Sequence, residues 1–330
     1  MSNRIYDLLI IGGGPSGLNV AIEATKADLD YIVLEKGVLV NSLYNFPANM
    51  TFFSTSRKLE VGDTPFISHL EKPTRMEALE YYRRLMDRWQ LKVNLYEPVE
   101  TMVRLEDSGI YQIKSSKAVY LARAVVVATG FYDTPRKLEI PGEDLPKVTH
   151  YYNDPHPYVG QEVLVIGARN SACDAALETY YKGAKVSMAI RSEGIHKNVK
   201  YWIRPNIENR IKEGSIKAYL HTSVKEIRPR EVVLEGPEGE FTIKNDFVLA
   251  MTGYQPNFEF FESLGIQIEE DEAHKPCHHP QTLETNLPNV YMAGVACSGL
   301  ATSKLFIENT RDHGDKIVQS ILSKREEVVK

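Results

Sequence analysis

Two glycine-rich turns constrain the fold of this chain more than any other sequence feature. The first reads Gly12-Gly13-Gly14-Pro15-Ser16-Gly17, the second reads Gly167-Ala168-Arg169-Asn170-Ser171-Ala172, and a short apolar run precedes each. In the first turn Gly12 permits a tight bend, Gly14 lets backbone N–H groups approach a pyrophosphate, and Gly17 lets the following helix pack against the strand. The two turns therefore predict that one chain holds two dinucleotides.

An acidic residue completes the first of these units. Glu35 ends the apolar run 31–35, where its carboxylate can accept hydrogen bonds from the ribose hydroxyls of an adenosine. The helix that begins after the turn directs its partial positive charge at the phosphates. Strand, turn, helix and acid are all in place, so we predict that this unit binds an adenine dinucleotide.

Length and composition fit a soluble protein of two domains. The chain has 330 residues, of which 43% are hydrophobic and 25% charged. A net charge of −5 without runs of like charge gives no electrostatic footprint for nucleic acid. The first strand follows the opening residues closely and no apolar run reaches membrane-spanning length. We therefore expect a cytoplasmic protein with no membrane partner and no nucleic-acid partner.

The order of elements predicts that one domain is inserted in the other. The first unit continues from Glu35 into a long irregular stretch at 37–68, then a helix introduced by Pro73-Thr74-Arg75 and a buried parallel strand at 124–130. A second unit begins near Gln161 and repeats this outline, with a helix through Tyr181. Residues 247–253 then echo 124–130 and return the chain to the first unit. We predict an α/β fold of two Rossmann-like, three-layer dinucleotide-binding domains, with residues 1–133 and 254–330 forming the FAD domain and residues 134–253 forming the inserted NADPH domain.

Basic residues distinguish the second dinucleotide site. Arg169 stands where a glycine usually lies, and it could contact a phosphate itself. The following strand ends in Arg191-Ser192 rather than in an acid, and Lys200 comes shortly after. A guanidinium with a hydroxyl favours a 2′-phosphate, so the cofactor predicted here is NADPH. The alternative is that Arg191 and the lysines form only a solvated face.

A flavin in the first domain would complete a redox pair. FAD and NADPH in one chain imply hydride transfer from the nicotinamide C4 to the flavin N5, with the protein supplying placement and electrostatics. A helix predicted to start near Thr302-Ser303, after Gly294, would direct its positive end at the flavin N1 and O2 region.

The motifs together resemble the thioredoxin-reductase-like pyridine nucleotide flavoproteins over nearly the full chain. The resemblance rests on the two glycine turns, Glu35, Ala128-Thr129-Gly130 and Ala293-Gly294. Four further segments look more narrowly like the bacillithiol-disulfide reductase branch: Asn41-Ser42-Leu43-Tyr44-Asn45-Phe46-Pro47, Ala128-Thr129-Gly130-Phe131-Tyr132-Asp133, Val199-Lys200-Tyr201-Trp202 and Leu305-Phe306-Ile307-Glu308-Asn309. This resemblance implies FAD, NADPH, reduction of an oxidised low-molecular-weight thiol, and a homodimer or tetramer.

Motifs and resemblance together give a set of candidate cofactor-binding residues. For FAD these are Gly12, Gly14, Pro15, Ser16, Gly17, Glu35, Lys36, Asn41, Ser42, Val99, Thr129, Gly130, Gly294 and Val295. For NADPH they are Gly167, Ala168, Arg169, Asn170, Ser171, Arg191, Ser192 and Lys200. No metal site is expected, because the adjacent His278 and His279 beside Cys277 seldom both reach one ion.

The chain departs from the family pattern in three places. Thioredoxin reductases carry a C-x-x-C near the position of Cys173, and this chain has none, which argues against direct reduction of thioredoxin. Val295 stands where the wider superfamily has an aspartate that holds the ribityl chain. Ser16 stands where well-known members of the branch have a cysteine that has been proposed to be redox-active. A serine cannot form a mixed disulfide.

The three cysteines offer few alternatives for sulfur chemistry. They form no C-x-x-C pair and are odd in number, so no disulfide framework is expected. Cys297, in the segment expected beside the flavin, is the candidate catalytic thiol, and Cys277 is the other possibility. The alternative for Cys297 is that a cysteine simply fits the tight Ala-Cys-Ser-Gly turn, and Cys173 is interpreted as a small packing residue.

Other functions fit the same cofactors. An NADPH–flavin reductase or oxidase could pass electrons to ferredoxin, flavodoxin or another acceptor, although ferredoxin reductases usually have Pro-Gly-Gly-Gln where this chain has Leu39-Val40-Asn41-Ser42. A flavin monooxygenase would need F-x-G-x-x-x-H before His150, where Asp144 and Pro146 take the first two positions. If the chain is not an enzyme, the alternative is a nucleotide-binding redox sensor with little turnover.

Overall fold

The chain divides into two compact units of α/β architecture. The structure is a computed structural model that describes residues 4–329. One unit comprises the residues up to Asn45, Met50–Thr134 and the residues from Tyr254 onward, and the other comprises Phe46–Asn49 and Pro135–Gly253. Each contains a mainly parallel sheet with helices, so the predicted Rossmann-like fold class is confirmed.

The first unit contains the glycine turn nearest the N-terminus. Its elements up to the first crossing are β1 (Ile5–Ile11), α1 (Pro15–Lys26), β2 (Tyr31–Leu34), α2 (Asn41–Tyr44), α3 (Arg75–Trp89), β3 (Val93–Asn94), β4 (Val99–Arg104), β5 (Tyr111–Ser115), β6 (Val119–Val127) and β7 (Thr134–Pro135), which spans the boundary.

The second unit contains the other glycine turn. Its elements are β8 (Val148–Thr149), β9 (Glu162–Ile166), α4 (Asn170–Tyr181), β10 (Lys185–Ala189), α5 (Arg204–Lys212), β11 (Lys217–Tyr219), β12 (Ser223–Ile227), β13 (Glu231–Gly236), β14 (Gly239–Lys244) and β15 (Phe247–Ala250). The chain returns to the first unit with β16 (Tyr254–Gln255), α6 (Phe258–Ser263), β17 (Val290–Met292) and α7 (His313–Val329).

The first sheet gathers the ends of four parallel strands at one edge. Its order is β3-β2-β1-β6, and β6 pairs on its other side with β5 near its start and with β17 near its end. In register, Ile11 pairs with Leu34 and with Val127, and Val127 pairs with Met292. Because β1 and β6 are buried apolar runs, they form the core of a parallel sheet. The residues that follow these four strands therefore meet at one edge.

Helix α3 shows how local sequence determines an element. The Thr74 hydroxyl accepts a hydrogen bond from the Glu77 N–H and the Glu77 carboxylate accepts one from the Thr74 N–H, which is a capping box. The helix buries Tyr82 and Leu85 and ends at Gln90 in the left-handed conformation, with φ 48°.

The second unit repeats the parallel sheet and adds a meander. Strand order is β11-β10-β9-β15-β8, all parallel, so Ala189 and Ala250 both align with Ile166 at the edge where the second turn begins. Strands β12, β13 and β14 form a separate antiparallel sheet that the sequence analysis did not predict.

Two expectations about irregular segments are wrong. The stretch 37–68 contains the short helix α2 and a 3₁₀ turn at Ser56–Leu59. No helix starts near Thr302-Ser303. Just before this segment the Leu300 N–H donates to the Ala273 carbonyl, and a Cβ on Gly299, which has φ 55°, would overlap that same carbonyl. The helix instead begins at His313, and its buried apolar residues start one turn later, at Ile317.

Within residues 4–329, no helix combines the length and the apolar character needed to cross a membrane.

Candidate functional site

The first glycine turn leaves room for a ligand at one position only. A Cβ on Gly12, which has φ +111°, would lie 2.6 Å from the Ala128 carbonyl oxygen, and a Cβ on Gly17 would overlap the Gly12 carbonyl. A Cβ on Gly14 would meet nothing within 4 Å. Gly12 and Gly17 therefore keep turn, strand and helix together, whereas the space beside Gly14 is open to a phosphate.

The start of helix α1 suits an anion. Gly14 is its N-cap, Pro15 takes the first helical position, and no described side chain caps the exposed N–H groups. Uncapped N–H groups at a helix N-terminus carry partial positive charge toward whatever lies there. Ser16, in the first turn of the helix, lies against Gly294, where any Cβ would overlap its hydroxyl.

Glu35 links the turn to the loop beyond β2. Its Oε2 accepts a hydrogen bond from the Gly13 N–H at 2.7 Å, and its Oε1 accepts one from the Gly37 N–H at 2.8 Å. Burial raises the pKa of this carboxyl, against the lowering effect of the two N–H donors. Each oxygen keeps a second acceptor position for a ribose hydroxyl. The neighbouring Lys36 forms an ion pair with Asp133 at 2.9 Å.

Helix α2 brings Asn41 and Ser42 beside the turn. The Val40 N–H donates to the Gly13 carbonyl at 3.1 Å, and Asn41 opens the helix directly after it. The Arg75 guanidinium donates to the Tyr44 carbonyl at the end of α2, which holds the short helix in place. Val99, the remaining candidate on this side, is the first residue of β4.

The residues after β6 and β17 complete the first site. Thr129 follows the end of β6, and its buried Oγ1 has no hydrogen-bond partner among the described residues. Gly130 has φ +68° and faces Val295. An unsatisfied buried hydroxyl is costly in a folded protein, so Thr129 fits a site whose ligand supplies the partner. The open space at Gly14, the uncapped helix and Thr129 fit a bound dinucleotide.

Two residues at this site were missed by the sequence analysis. His313 opens α7, and its Nδ1 accepts a hydrogen bond from the Gly294 N–H at 3.1 Å. Asn19, on α1, accepts one from the Gly314 N–H through Oδ1 at 3.1 Å. Sequence patterns offered little indication of His313, because its position depends on where the last helix starts and the apolar period of that helix begins only at Ile317.

The cysteines lie in surroundings that do not favour a thiolate. Cys297 is 4% exposed within the apolar core of the first unit, and burial raises its pKa to about 12. Cys173 is fully buried in the core of the second unit, with its pKa also raised to about 12 by burial. Cys277 is partly exposed, and burial raises its pKa as well. Reactive cysteines have lowered pKa values and access to solvent, so Cys297 lacks the features of the predicted nucleophile.

The second glycine turn also joins a strand to a helix, and it carries an arginine at the N-cap of that helix. Gly167 has φ +128°, and a Cβ there would lie 2.7 Å from the Met251 carbonyl oxygen. Arg169 is exposed at the N-cap of α4, followed by Asn170 and the exposed Ser171 in the first turn, and no described side chain caps this helix. The Ala168 carbonyl accepts a hydrogen bond from the His196 N–H at 3.0 Å, which folds the loop after β10 back to the turn.

The basic residues predicted for a 2′-phosphate separate into two groups. Arg191 is exposed and makes no hydrogen bond or ion pair to the part of the chain that the structure describes; Ser192 is exposed beside it. Lys200 differs, because its Nζ forms an ion pair with Asp174 at 3.0 Å and its N–H donates to the Asn170 side chain at 2.9 Å. Arg191 is available to an anion, whereas the charge of Lys200 is already neutralised.

No group of three or more His, Cys, Asp or Glu side chains in the described residues is arranged to hold a metal ion. The expected absence of a metal site stays a prediction.

Comparison with known proteins gives matches over nearly the whole chain. The family model described as pyridine nucleotide-disulphide oxidoreductase matches residues 9–294. Bacilliredoxin reductase Bdr of Bacillus subtilis (strain 168) is 43% identical over 319 residues, which is 96% of this chain and 98% of that protein. The solved structure titled bacillithiol disulfide reductase Bdr (YpdA) from Staphylococcus aureus is 42% identical with a TM-score of 0.94, covering 97% of this chain and 99% of that one. A ferredoxin–NADP reductase of Ignicoccus hospitalis is 24% identical over 87% of this chain and 89% of that protein.

Proposed function

The chain belongs to the pyridine nucleotide-disulphide oxidoreductase family, and we propose that it is an NADPH-dependent flavin enzyme that reduces the disulfide of a low-molecular-weight thiol, bacillithiol disulfide. The observation that carries this proposal is the 43% identity over 96% of the chain with a bacilliredoxin reductase. A structure titled as a bacillithiol disulfide reductase, with a TM-score of 0.94, supports the same substrate class.

The two glycine turns divide the cofactors between the units. We assign FAD to the first, where Gly14 leaves open space, Glu35 can receive a ribose and Thr129 lacks a partner among the described residues. NADPH is assigned to the second, where Arg191 is available for the 2′-phosphate. When both are bound, they would supply the redox chemistry, in which NADPH, one proton and the substrate disulfide give NADP⁺ and two thiols.

The protein's own residues bind and position in this scheme. The N-terminus of α1 holds the pyrophosphate, and Glu35 fixes the turn and receives the ribose hydroxyls. Ser16 cannot form a mixed disulfide, and the buried Cys297, with a raised pKa, is a poor nucleophile. We therefore assign no covalent step in the reduction to Ser16 or to Cys297.

A homo-oligomer, a dimer or a tetramer, is part of the proposal. Several large apolar side chains of one segment of the first unit are exposed, including Phe53 at 59%, Ile67 at 88% and Leu70 at 64%. Large apolar side chains exposed in one segment of the chain are a feature of surfaces that a partner covers. Light scattering coupled to size exclusion measures the oligomeric state, and a monomer at micromolar concentration would contradict this part.

Steady-state turnover tests the function. The purified holoenzyme is mixed with NADPH and bacillithiol disulfide, and NADPH consumption is compared with free thiol released. The proposal predicts two thiols per NADPH, because one hydride reduces one disulfide. A bacilliredoxin carrying a mixed disulfide is the second oxidant, since a relative is named for that protein. Consumption of NADPH without release of thiol would overturn the disulfide reductase assignment.

Ferredoxin reduction is the alternative function. It is favoured by the 24% identity with a ferredoxin–NADP reductase, which is a weaker match than the 43% above. Ferredoxin is therefore tested in parallel as an oxidant. Fast reduction of ferredoxin with no response to either disulfide would establish this alternative in place of the proposal.

A further inference from the structure

Strands β10 and β11 end in register at the edge of the second sheet where the second glycine turn begins. Beyond these ends, the His221 N–H donates a hydrogen bond to the Ser192 carbonyl at 3.2 Å. Strands joined by such bonds lie about 5 Å apart, so long side chains from the two ends can reach one bound group. His221 is therefore within reach of a ligand that Arg191 binds.

Arg191 and His221 present polar side chains with no partner in residues 4–329 at these two strand ends. Both residues are exposed, and neither side chain makes a hydrogen bond or an ion pair within that range. His221 also has φ 49°, in the left-handed region, which residues other than glycine adopt infrequently and often at binding sites. Two adjacent groups that donate hydrogen bonds and can carry positive charge suit an anion.

A 2′-phosphate needs more partners than the predicted residues supply. A phosphate monoester carries a charge of about −1.5 to −2 at neutral pH, and Arg191 supplies one positive charge beside the exposed acid Glu193. The charge of Lys200 is already paired with an acid at 3.0 Å. The Ser192 hydroxyl donates its only proton to the Gly194 carbonyl at 3.0 Å. A second donor for the phosphate must therefore come from another residue at this edge.

We propose that His221 is a second ligand of the NADPH 2′-phosphate and that it determines the preference for NADPH together with Arg191. The inference rests on the proposed function, since it requires NADPH in the second unit. An imidazole N–H donates to a phosphate oxygen in either protonation state of the ring, and the protonated ring adds a positive charge. The ligand class recognised is an adenosine that is phosphorylated on its 2′ oxygen.

Lys197 is another exposed cation in the loop after β10, but the turn that carries it is bonded elsewhere. The His196 N–H donates to the Ala168 carbonyl in the glycine turn at 3.0 Å, and the Val199 N–H donates to the His196 carbonyl at 3.1 Å. This turn therefore lies at the start of α4, whose N-terminus suits the pyrophosphate. His221, by contrast, is bonded to the Ser192 carbonyl itself.

Binding of adenosine phosphates to the full-length holoenzyme isolates the contribution of the 2′-phosphate. Isothermal titration calorimetry measures the dissociation constants of adenosine 2′,5′-bisphosphate and of 5′-AMP, which differ by that phosphate alone. His221→Gly removes the ring and suits a φ of 49°, and His221→Lys restores a cation. His156→Ala is the matched control, because His156 is also exposed but precedes the start of β9, at the opposite edge of the same sheet.

The outcomes distinguish the inference from the proposed function. We expect His221→Gly to bind the bisphosphate about fivefold or more weakly with unchanged affinity for 5′-AMP, and His221→Lys to stay within about threefold of the wild type. The His156→Ala variant should match the wild type for both ligands.

Three results would contradict this account. Wild-type affinity for the bisphosphate in His221→Gly would overturn the inference and leave the proposed function intact. An equal loss for both ligands would also overturn it, because the role of His221 would then be only structural. A wild-type chain that binds the bisphosphate no better than 5′-AMP would have no 2′-phosphate site, which would overturn both the inference and the assignment of NADPH.

Discussion

The Glu35 carboxylate accepts a hydrogen bond from the Gly13 N–H at 2.7 Å. Glu35 directly follows β2, the strand next to the one that leads into the glycine turn. Because its other oxygen accepts the Gly37 N–H, one buried side chain ties the turn to the loop that leads into α2. The acid thus has a structural role before any cofactor binds. Its pKa is raised by burial, and the two N–H donors support the ionised form.

Replacing Glu35 by Gln tests this double role. An amide has one acceptor oxygen and one NH₂ group, so either the Gly13 or the Gly37 N–H would face another donor. A buried donor without an acceptor costs about 1–3 kcal/mol, so we expect FAD affinity to fall by about fivefold or more. Flavin fluorescence on dilution measures the affinity. The same affinity as wild type would contradict the account.

Two glycine substitutions in the same turn should have different consequences. Gly14→Ala should fold, because its Cβ meets nothing within 4 Å and its φ of −78° suits alanine, yet it should lose FAD, because the methyl group takes the space of the phosphate. Gly17→Ala should fail to fold, because its Cβ would overlap the Gly12 carbonyl. Yield, melting temperature and bound flavin are measured for both. If Gly14→Ala retains wild-type flavin affinity, the phosphate is not at this position.

Sequence reasoning predicted the parts of the fold that local chemistry determines. The turn at Gly12, the acid at Glu35 and the repeat at Gly167 follow from short motifs. The structure has Gly12 and Glu35 after adjacent strands of the first sheet, and Gly167 after a strand of the second sheet. The segment before α7 makes a contact that sequence spacing does not report, since the Leu300 N–H donates to the Ala273 carbonyl, and the helix begins only at His313.

Local sequence patterns also could not predict which side chains pair or are buried at the two sites. The sequence predicted Lys200 as a phosphate ligand, but in the structure it forms an ion pair with Asp174. The sequence predicted Cys297 as a reactive thiol beside the flavin, but in the structure its side chain is buried. Both depend on which side chains the folded chain brings together, and spacing along the sequence does not report that.

Arg191 should determine the preference for NADPH. It is exposed and makes no bond to another described residue, so Arg191→Ala should raise KM for NADPH by about 10-fold or more and change KM for NADH little, since a charge-assisted bond contributes about 1.5–3 kcal/mol. Lys200→Ala is the matched comparison: because Lys200 is paired with Asp174, it should affect both coenzymes alike. Equal effects of Arg191→Ala on the two coenzymes would refute the 2′-phosphate assignment.

The three cysteines should differ in reactivity. Burial raises the pKa values of Cys297 and Cys173 to about 12, so at pH 8 almost no thiolate is present and neither side chain is accessible. Cys277 is partly exposed and should be alkylated first by iodoacetamide, with the other two following only in denaturant. Peptide mass spectrometry reads the order. Alkylation of Cys297 as fast as Cys277 in the native enzyme would restore Cys297 as a candidate nucleophile.

Acid should destabilise the chain partly through His313. Its pKa is about 4 when folded and near 6.5 when unfolded, so between these values the unfolded state binds more protons and stability falls as the pH falls. The melting temperature of the wild type should therefore drop more between pH 7 and pH 4.5 than that of His313→Asn, which has no titrating group there. Parallel melting curves for the two proteins over this range would show that His313 does not titrate as stated.

Anaerobic stopped-flow absorbance tests the central claim most directly. The holoenzyme is first reduced with NADPH, then mixed with bacillithiol disulfide, and the flavin band near 450 nm is followed, as about two electrons per flavin return to the oxidant. The account predicts rapid recovery of the band, with the same rate in a Cys297→Ser variant. Reduction by NADPH with no recovery on addition of the disulfide would contradict it.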